Sequence, residues 1–317
     1  MKLQGHCSRI AVAVKVCFCV FVSIPVFLCS SAGSDCSAPA ILLNAFDKKL
    51  NLERDLRAED IKVEADGKQV PILSLSFDTH ARHIVLMVDS SGSVTPAQQT
   101  GWGLAIPAAA FAAYVLPASA SAQLVTFSDE LRRESSDFEN RKTVQERVFA
   151  LAKRQPKGRT SLFDSVHQAL AEFKELHFGD AIYIVTDGGD NKSRLSAKKV
   201  MEELVSRGIR AFVFLLQGHP PLTEEEQSGA SDMYGFAEST GGAVVRITSN
   251  DPAGREQLDN LAPQILAQVE GVYRLELGSP HLGKPYRVKV ELVERDRKHS
   301  TRNIVYSQQI VPCPGEP

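Results

Sequence analysis

Short apolar runs alternate with longer stretches of helical period from about residue 82 to 267, and this alternation carries most of the architecture. Five runs, Ile84–Val88, Ala122–Phe127, Ala181–Thr186, Ile209–Leu216 and Ala243–Ile247, are β-branched or otherwise apolar and end in turn formers. Such continuous runs suit strands covered on both faces. Helices are predicted at Pro96–Val115, Lys142–Lys153, Leu162–Leu176, Ala197–Ser206, Ser231–Ser239 and Arg255–Val269. Strand and helix in alternation predict an α/β fold, a doubly wound, mostly parallel sheet flanked by helices. Val94 to Ser128 carries no charge, but Gly101, Gly103, Pro107 and Pro117 interrupt it. A membrane helix needs about 20 continuous apolar residues, so a buried helix followed by a central strand is the better reading.

The flanks alternate with period two instead. Ile61 to Val70 alternates and turns at Asp66-Gly67, a hairpin signal. Tyr273–Leu277, Tyr286–Val293 and Ile304–Ile310 read as further half-buried strands. Together they predict a small β domain assembled from both ends, with the α/β region inserted in it. The boundaries read 1–32 for a leader, 33–81 for the N-terminal β flank, 82–270 for the α/β domain and 271–317 for the C-terminal β flank.

The leader has Lys2 and Arg9 before a mostly apolar stretch, Ile10 to Leu28, and then small residues at Ser30, Ser31, Ala32 and Gly33. That order predicts a secretory signal cut after Ala32, with a retained anchor as the alternative. The destination would be the medium, the periplasm or the cell surface, and membrane contact would require the anchor. Of six cysteines, Cys36 and Cys313 would survive cleavage. In an oxidising compartment this pair reads as a disulfide closing a long loop, worth about 3–5 kcal/mol in the chain-entropy model. Two unpaired thiols on the chain ends are the other reading. A net charge of −2 without a Lys/Arg cluster argues against a nucleic-acid partner.

The chemistry concentrates at strand ends. Asp89-Ser90-Ser91-Gly92-Ser93 follows the first strand and offers a carboxylate with two hydroxyls at alternate positions. Gly158-Arg159-Thr160 precedes the third helix, and Thr186-Asp187-Gly188 follows the strand Ala181–Thr186. The carboxylates and hydroxyls in these segments are oxygen ligands of the kind hard divalent cations prefer. In an open parallel sheet, ligands bind beyond the carboxyl ends of the strands, where Asp89 and Asp187 both lie. Each motif alone could be a helix N-cap; three at matching ends ask for one explanation.

The spaced set D-x-S-x-S, G-x-T and T-D-G resembles the von Willebrand factor type A (VWA) domain over roughly residues 82–270. The resemblance implies a metal-ion-dependent adhesion site (MIDAS) built from Asp89, Ser91, Ser93, Thr160 and Asp187. It implies Mg²⁺, with Mn²⁺ or Ca²⁺ as alternatives, contacted by the three hydroxyls and completed by the two carboxylates, partly through water. The flanks resemble a bacterial, secreted subgroup in which a hairpin with an acidic-glycine turn precedes the domain. Arg159 departs from the family, which more often has glycine there, and places a cation near the site.

Enzyme signatures are weak. The phosphate-cradling motif G-x-x-x-x-G-K-[ST] is absent, and Ser91 is not set in G-x-S-x-G. The stretch beginning at Asp187 hints at an EF-hand, but its twelfth position is Lys198 rather than Glu. The expectation is a non-enzymatic secreted module that grips an Asp or Glu carboxylate of a protein partner through the cation. A structural or assembly role in the cell envelope, with the metal mainly stabilising the fold, is the alternative.

Overall fold

The computed structural model describes residues 40–94, 101–217, 224–248, 251–278, 285–293 and 303–311. The leader, Cys36, Cys313 and the start of the first predicted helix lie outside these residues.

The inserted α/β region contains β5 (His83–Asp89), α1 (Gly101–Tyr114), β6 (Ser121–Phe127), β7 (Leu131–Arg133), α2 (Arg141–Leu151) and α3 (Leu162–Ala169). It continues through β8 (Ala181–Thr186), α4 (Ala197–Ser206), β9 (Arg210–Leu216), α5 (Glu224–Thr240), β10 (Ala243–Ile247) and α6 (Pro252–Glu270). The strands lie in the order β10-β9-β8-β5-β6-β7. All neighbours are parallel except β7, which pairs antiparallel with β6 at the edge.

The continuous apolar runs are explained by a core on each face. Ile84, Leu86 and Val88 of β5 point into the layer formed with α1, α2 and α6. Val85 and Met87 point into the layer formed with α3, α4 and α5. Polar termini set the helix starts: Asn140, Ser196 and Asp251 each accept a backbone N–H from the first turn of α2, α4 and α6. Helix α3 is shorter than predicted because Glu172, just beyond it, is drawn inward by Gln123 Nε2 at 2.7 Å and Arg133 Nε at 2.7 Å. The chain closes into a short 3-10 turn at Leu170–Glu172 instead of running to Leu176.

The flanks form two antiparallel sheets. One has the order β13-β1-β11-β4, with β1 (Ala40–Phe46), β4 (Ile72–Asp78), β11 (Val272–Leu277) and β13 (Asn303–Tyr306). The other has the order β14-β12-β2-β3, with β2 (Ile61–Ala65), β3 (Lys68–Val70), β12 (Tyr286–Leu292) and β14 (Gln309–Ile310). They share a core of Ile41, Leu43, Val63, Leu275, Val288 and neighbours.

The predicted strand Ile304–Ile310 divides between the two sheets. The break comes at Ser307, whose amide donates to Leu42 O at 2.9 Å while its Oγ accepts from Leu42 N at 3.0 Å. Strand β1 was hidden from a period-two reading because both of its faces are covered. Its outward Asn44 meets the α/β region, accepting from Arg210 Nη2 at 2.8 Å and donating to Gly271 O at 2.6 Å.

Candidate metal centre

Strand order determines where the site can be. After β5 the chain turns to the α1 face and pairs on with β6, whereas from β8 it moves away through α4 on the opposite face. The connections leaving the adjacent strands β5 and β8 therefore diverge and open a crevice at their carboxyl ends. Val88 is paired with Val185, so Asp89 and the Thr186-Asp187 step emerge side by side.

Asp89 is fully buried. Its Oδ1 accepts the Ser91 amide at 2.9 Å and its Oδ2 accepts the Thr186 hydroxyl at 2.8 Å. Thr186 Oγ1 in turn accepts the Gly188 amide at 3.0 Å, which bends the loop after β8 back over the strand end. Gly188 has φ 90°, a left-handed backbone that leads the chain away from the crevice without a Cβ penalty. Asp187 is 5% exposed, and its Oδ1 accepts the Gly189 amide at 3.0 Å. Ser91 is buried and its Oγ lies 2.9 Å from Ser93 Oγ, so the two hydroxyls of the first loop converge.

Thr160 is brought in by backbone clamps. Its amide donates to Asn191 Oδ1 at 3.0 Å and its carbonyl accepts the Asn191 amide at 3.0 Å, tying it to the loop that follows Asp187. On the other side, Gly92 N donates to Gly158 O at 2.9 Å and Lys157 N donates to Ser90 O at 2.9 Å. The loops bearing Ser91 and Ser93, Thr160, and Asp187 are thus cross-linked in series, and Thr160 is buried.

Burial raises the Asp89 carboxyl from the usual acidic range to about 7, and the nearby Asp187 charge pushes it the same way. Such a pair gains most from a cation that neutralises both. The donor set, two carboxylates and three neutral hydroxyls, suits a hard divalent ion. Arg159 turns outward, 66% exposed, with its Nε 3.9 Å from Asp129 Oδ1. Lys192 shares that carboxylate at 2.9 Å.

Sequence reasoning passed over Thr186, Asp190 and Asn191 as site residues, yet they hold the loops. Asp190 Oδ2 accepts the Phe163 amide at 3.0 Å and its Oδ1 the Ser193 amide at 3.0 Å, pinning the start of α3 to the β8 loop. The signal was present in Asp187-Gly188-Gly189-Asp190-Asn191, whose polar residues follow a strand end where amides need acceptors.

A doubly wound sheet carrying these three loops at its switch point defines a VWA-type α/β domain. Residues 48–233 match the family described as VWA domain containing CoxE-like protein, and the chain belongs to it. No curated protein matches the sequence. Among solved structures, von Willebrand factor type A from Catenulispora acidiphila is similar at 13% identity and TM-score 0.45, over 87% of this chain and 75% of that one. BatB from Bacteroides thetaiotaomicron aligns at 14% identity and TM-score 0.44, over 58% of this chain and 98% of its own. Proximal thread matrix protein 1 from the mussel byssus, with a zinc-occupied MIDAS motif, aligns at 16% identity and TM-score 0.46. That match covers 65% of this chain and half of the mussel protein.

Proposed function

We propose that the protein is a metal-dependent binding module. Asp89, Ser91, Ser93, Thr160 and Asp187 would hold one Mg²⁺, or Mn²⁺ or Ca²⁺ in its place, and an Asp or Glu of a protein partner would supply the last ligand. The observation carrying this reading is the buried Asp89 carboxyl, raised toward neutrality beside Asp187 and walled in by hydroxyl oxygens. The exposed cations Lys157 and Arg159 on the neighbouring loop favour an acidic partner over a basic one. With a cleaved leader, the module works outside the cytoplasm, its chain ends joined through Cys36 and Cys313.

Calorimetric titration with Mg²⁺ and Mn²⁺ tests the site. The wild type is expected to take up one ion at the oxygen cluster. Ser91→Ala should weaken that uptake at least about tenfold while melting normally in chelator, and Asp89→Ala should weaken it at least as much. Affinity capture from envelope extract, with Mg²⁺ and then EDTA, tests the partner: retention that survives both EDTA and Ser91→Ala sinks the bridging role. If metal raises the melting temperature but capture is metal-independent, the structural alternative is the correct one.

A further inference from the structure

The opposite end of the same sheet carries a second cluster with different chemistry. His83 opens β5, and His177 and Asp180 lie on the turn into β8, next to it in the sheet. One coordinating atom from each falls within 4.8 Å of the other two. Strand β5 is seven residues long, so this cluster sits about 20 Å from the Asp89 end at ~3.3 Å per residue.

Asp180 is fully buried and held in place by the chain. Its Oδ1 accepts the His83 amide at 2.9 Å and its Oδ2 the His177 amide at 2.9 Å, leaving each oxygen with further lone pairs. Both imidazoles present Nδ1 to the same Oδ2, each at 3.9 Å. That is too long for a hydrogen bond. A tetrahedral Zn²⁺ with bonds of about 2.0–2.2 Å sets its ligand atoms ~3.4 Å apart, so each nitrogen has only about 0.5 Å to close on that oxygen. The rings are half-exposed or nearly so, and a small rotation would bring them closer. The Phe138 ring, 4.8 Å from His83, covers one side, and the two imidazoles lie 5.6 Å apart. The neighbouring Arg82 guanidinium is engaged by backbone carbonyls, donating to Asp78 O and to Phe178 O of the same turn at 3.0 Å each.

We propose that His83, His177 and Asp180 form a second divalent-metal site, selective for an imidazole-preferring ion of the Zn²⁺ class. Two nitrogens and one carboxylate oxygen suit Zn²⁺, Ni²⁺ or Cu²⁺, whereas the hydroxyl-rich site at the other end suits Mg²⁺. Three protein ligands leave a fourth position for water or an incoming donor. The site also lies where the two regions of the fold meet: Phe178, between His177 and Gly179, stacks under the Arg274 guanidinium of β11 at 4.8 Å. An ion there would pin the turn into β8 to the start of β5 and brace that junction.

The full chain, held in saturating Mg²⁺, is titrated with Zn²⁺ against a chromophoric chelator, with Co²⁺ absorption as a second readout. Ser91→Ala removes the oxygen site so that Zn²⁺ entering it is not counted. The expected result is one Zn²⁺ per chain in both wild type and Ser91→Ala, with a higher melting temperature on binding. His177→Gln and His83→Gln should each weaken uptake at least about tenfold and abolish the Co²⁺ bands, while melting like wild type in EDTA. Unchanged Zn²⁺ affinity in both histidine variants would overturn the site and point to the cysteines. Loss of Zn²⁺ in Ser91→Ala alone would overturn it in favour of the oxygen cluster.

Discussion

At the scale of single residues, Asp89 couples the site to pH. Its folded-state pKa, raised to about 7 by burial and then by Asp187, lies above the ordinary unfolded value near 4. Between these two values the folded chain keeps a proton that the unfolded chain has lost. The metal-free protein is therefore expected to lose stability as pH rises through that window, and to keep this contribution below it. A bound cation reverses the balance by taking the place of the proton. Melting curves in EDTA should show a higher midpoint at pH 5 than at pH 7.5 relative to Asp89→Asn, and Mg²⁺ should stabilise more at the higher pH. Metal affinity should fall as pH drops below 7. Identical pH profiles for the wild type and Asp89→Asn would remove Asp89 as the titrating group.

Among elements, the contact that shapes the β8 loop is made by α5. A Cβ built on Gly229 would fall onto the Gly188 carbonyl, so only glycine lets the helix backbone approach that loop. Gly229→Ala should displace the Gly188-Gly189 step, destabilise the fold by about 1–3 kcal/mol and weaken metal binding together. Urea unfolding and Mn²⁺ titration on the same variant check both effects; a stability loss with wild-type metal affinity would show that the loop does not depend on α5. Helices α2, α4 and α6 were legible in the chain because their caps and apolar faces are local. The edge strand β7 was not, since its three residues, Leu131–Arg133, gain their conformation from pairing with β6.

For the whole molecule, the junction between the α/β region and the flanking sheets runs through a buried arginine. Arg210 is 1% exposed and donates to Asn44 Oδ1, Gly241 O and Gln268 O, joining β9, the turn before β10, the end of α6 and β1. Arg210→Ala removes this buried donor from three acceptors and should cost about 3 kcal/mol or more in urea unfolding, while metal uptake at the distant Asp89 end changes little. A variant as stable as wild type would show that the junction rests on apolar packing alone.

The strand runs, the helix periods and the oxygen-bearing loops at strand ends were determined by the sequence itself, because burial on both faces and capping leave local patterns. Which loops meet was decided only in three dimensions. Thr160 reaches the crevice because it pairs with Asn191, 31 residues ahead, and because Gly158 of its own loop accepts the amide of Gly92, and no periodicity announces these partners. The same holds for His83, His177 and Asp180. Each reads singly as an ordinary polar residue, and only the pairing of β5 with β8 sets the first beside the other two. Side-chain chemistry is written residue by residue, but proximity between distant residues follows from strand order and packing.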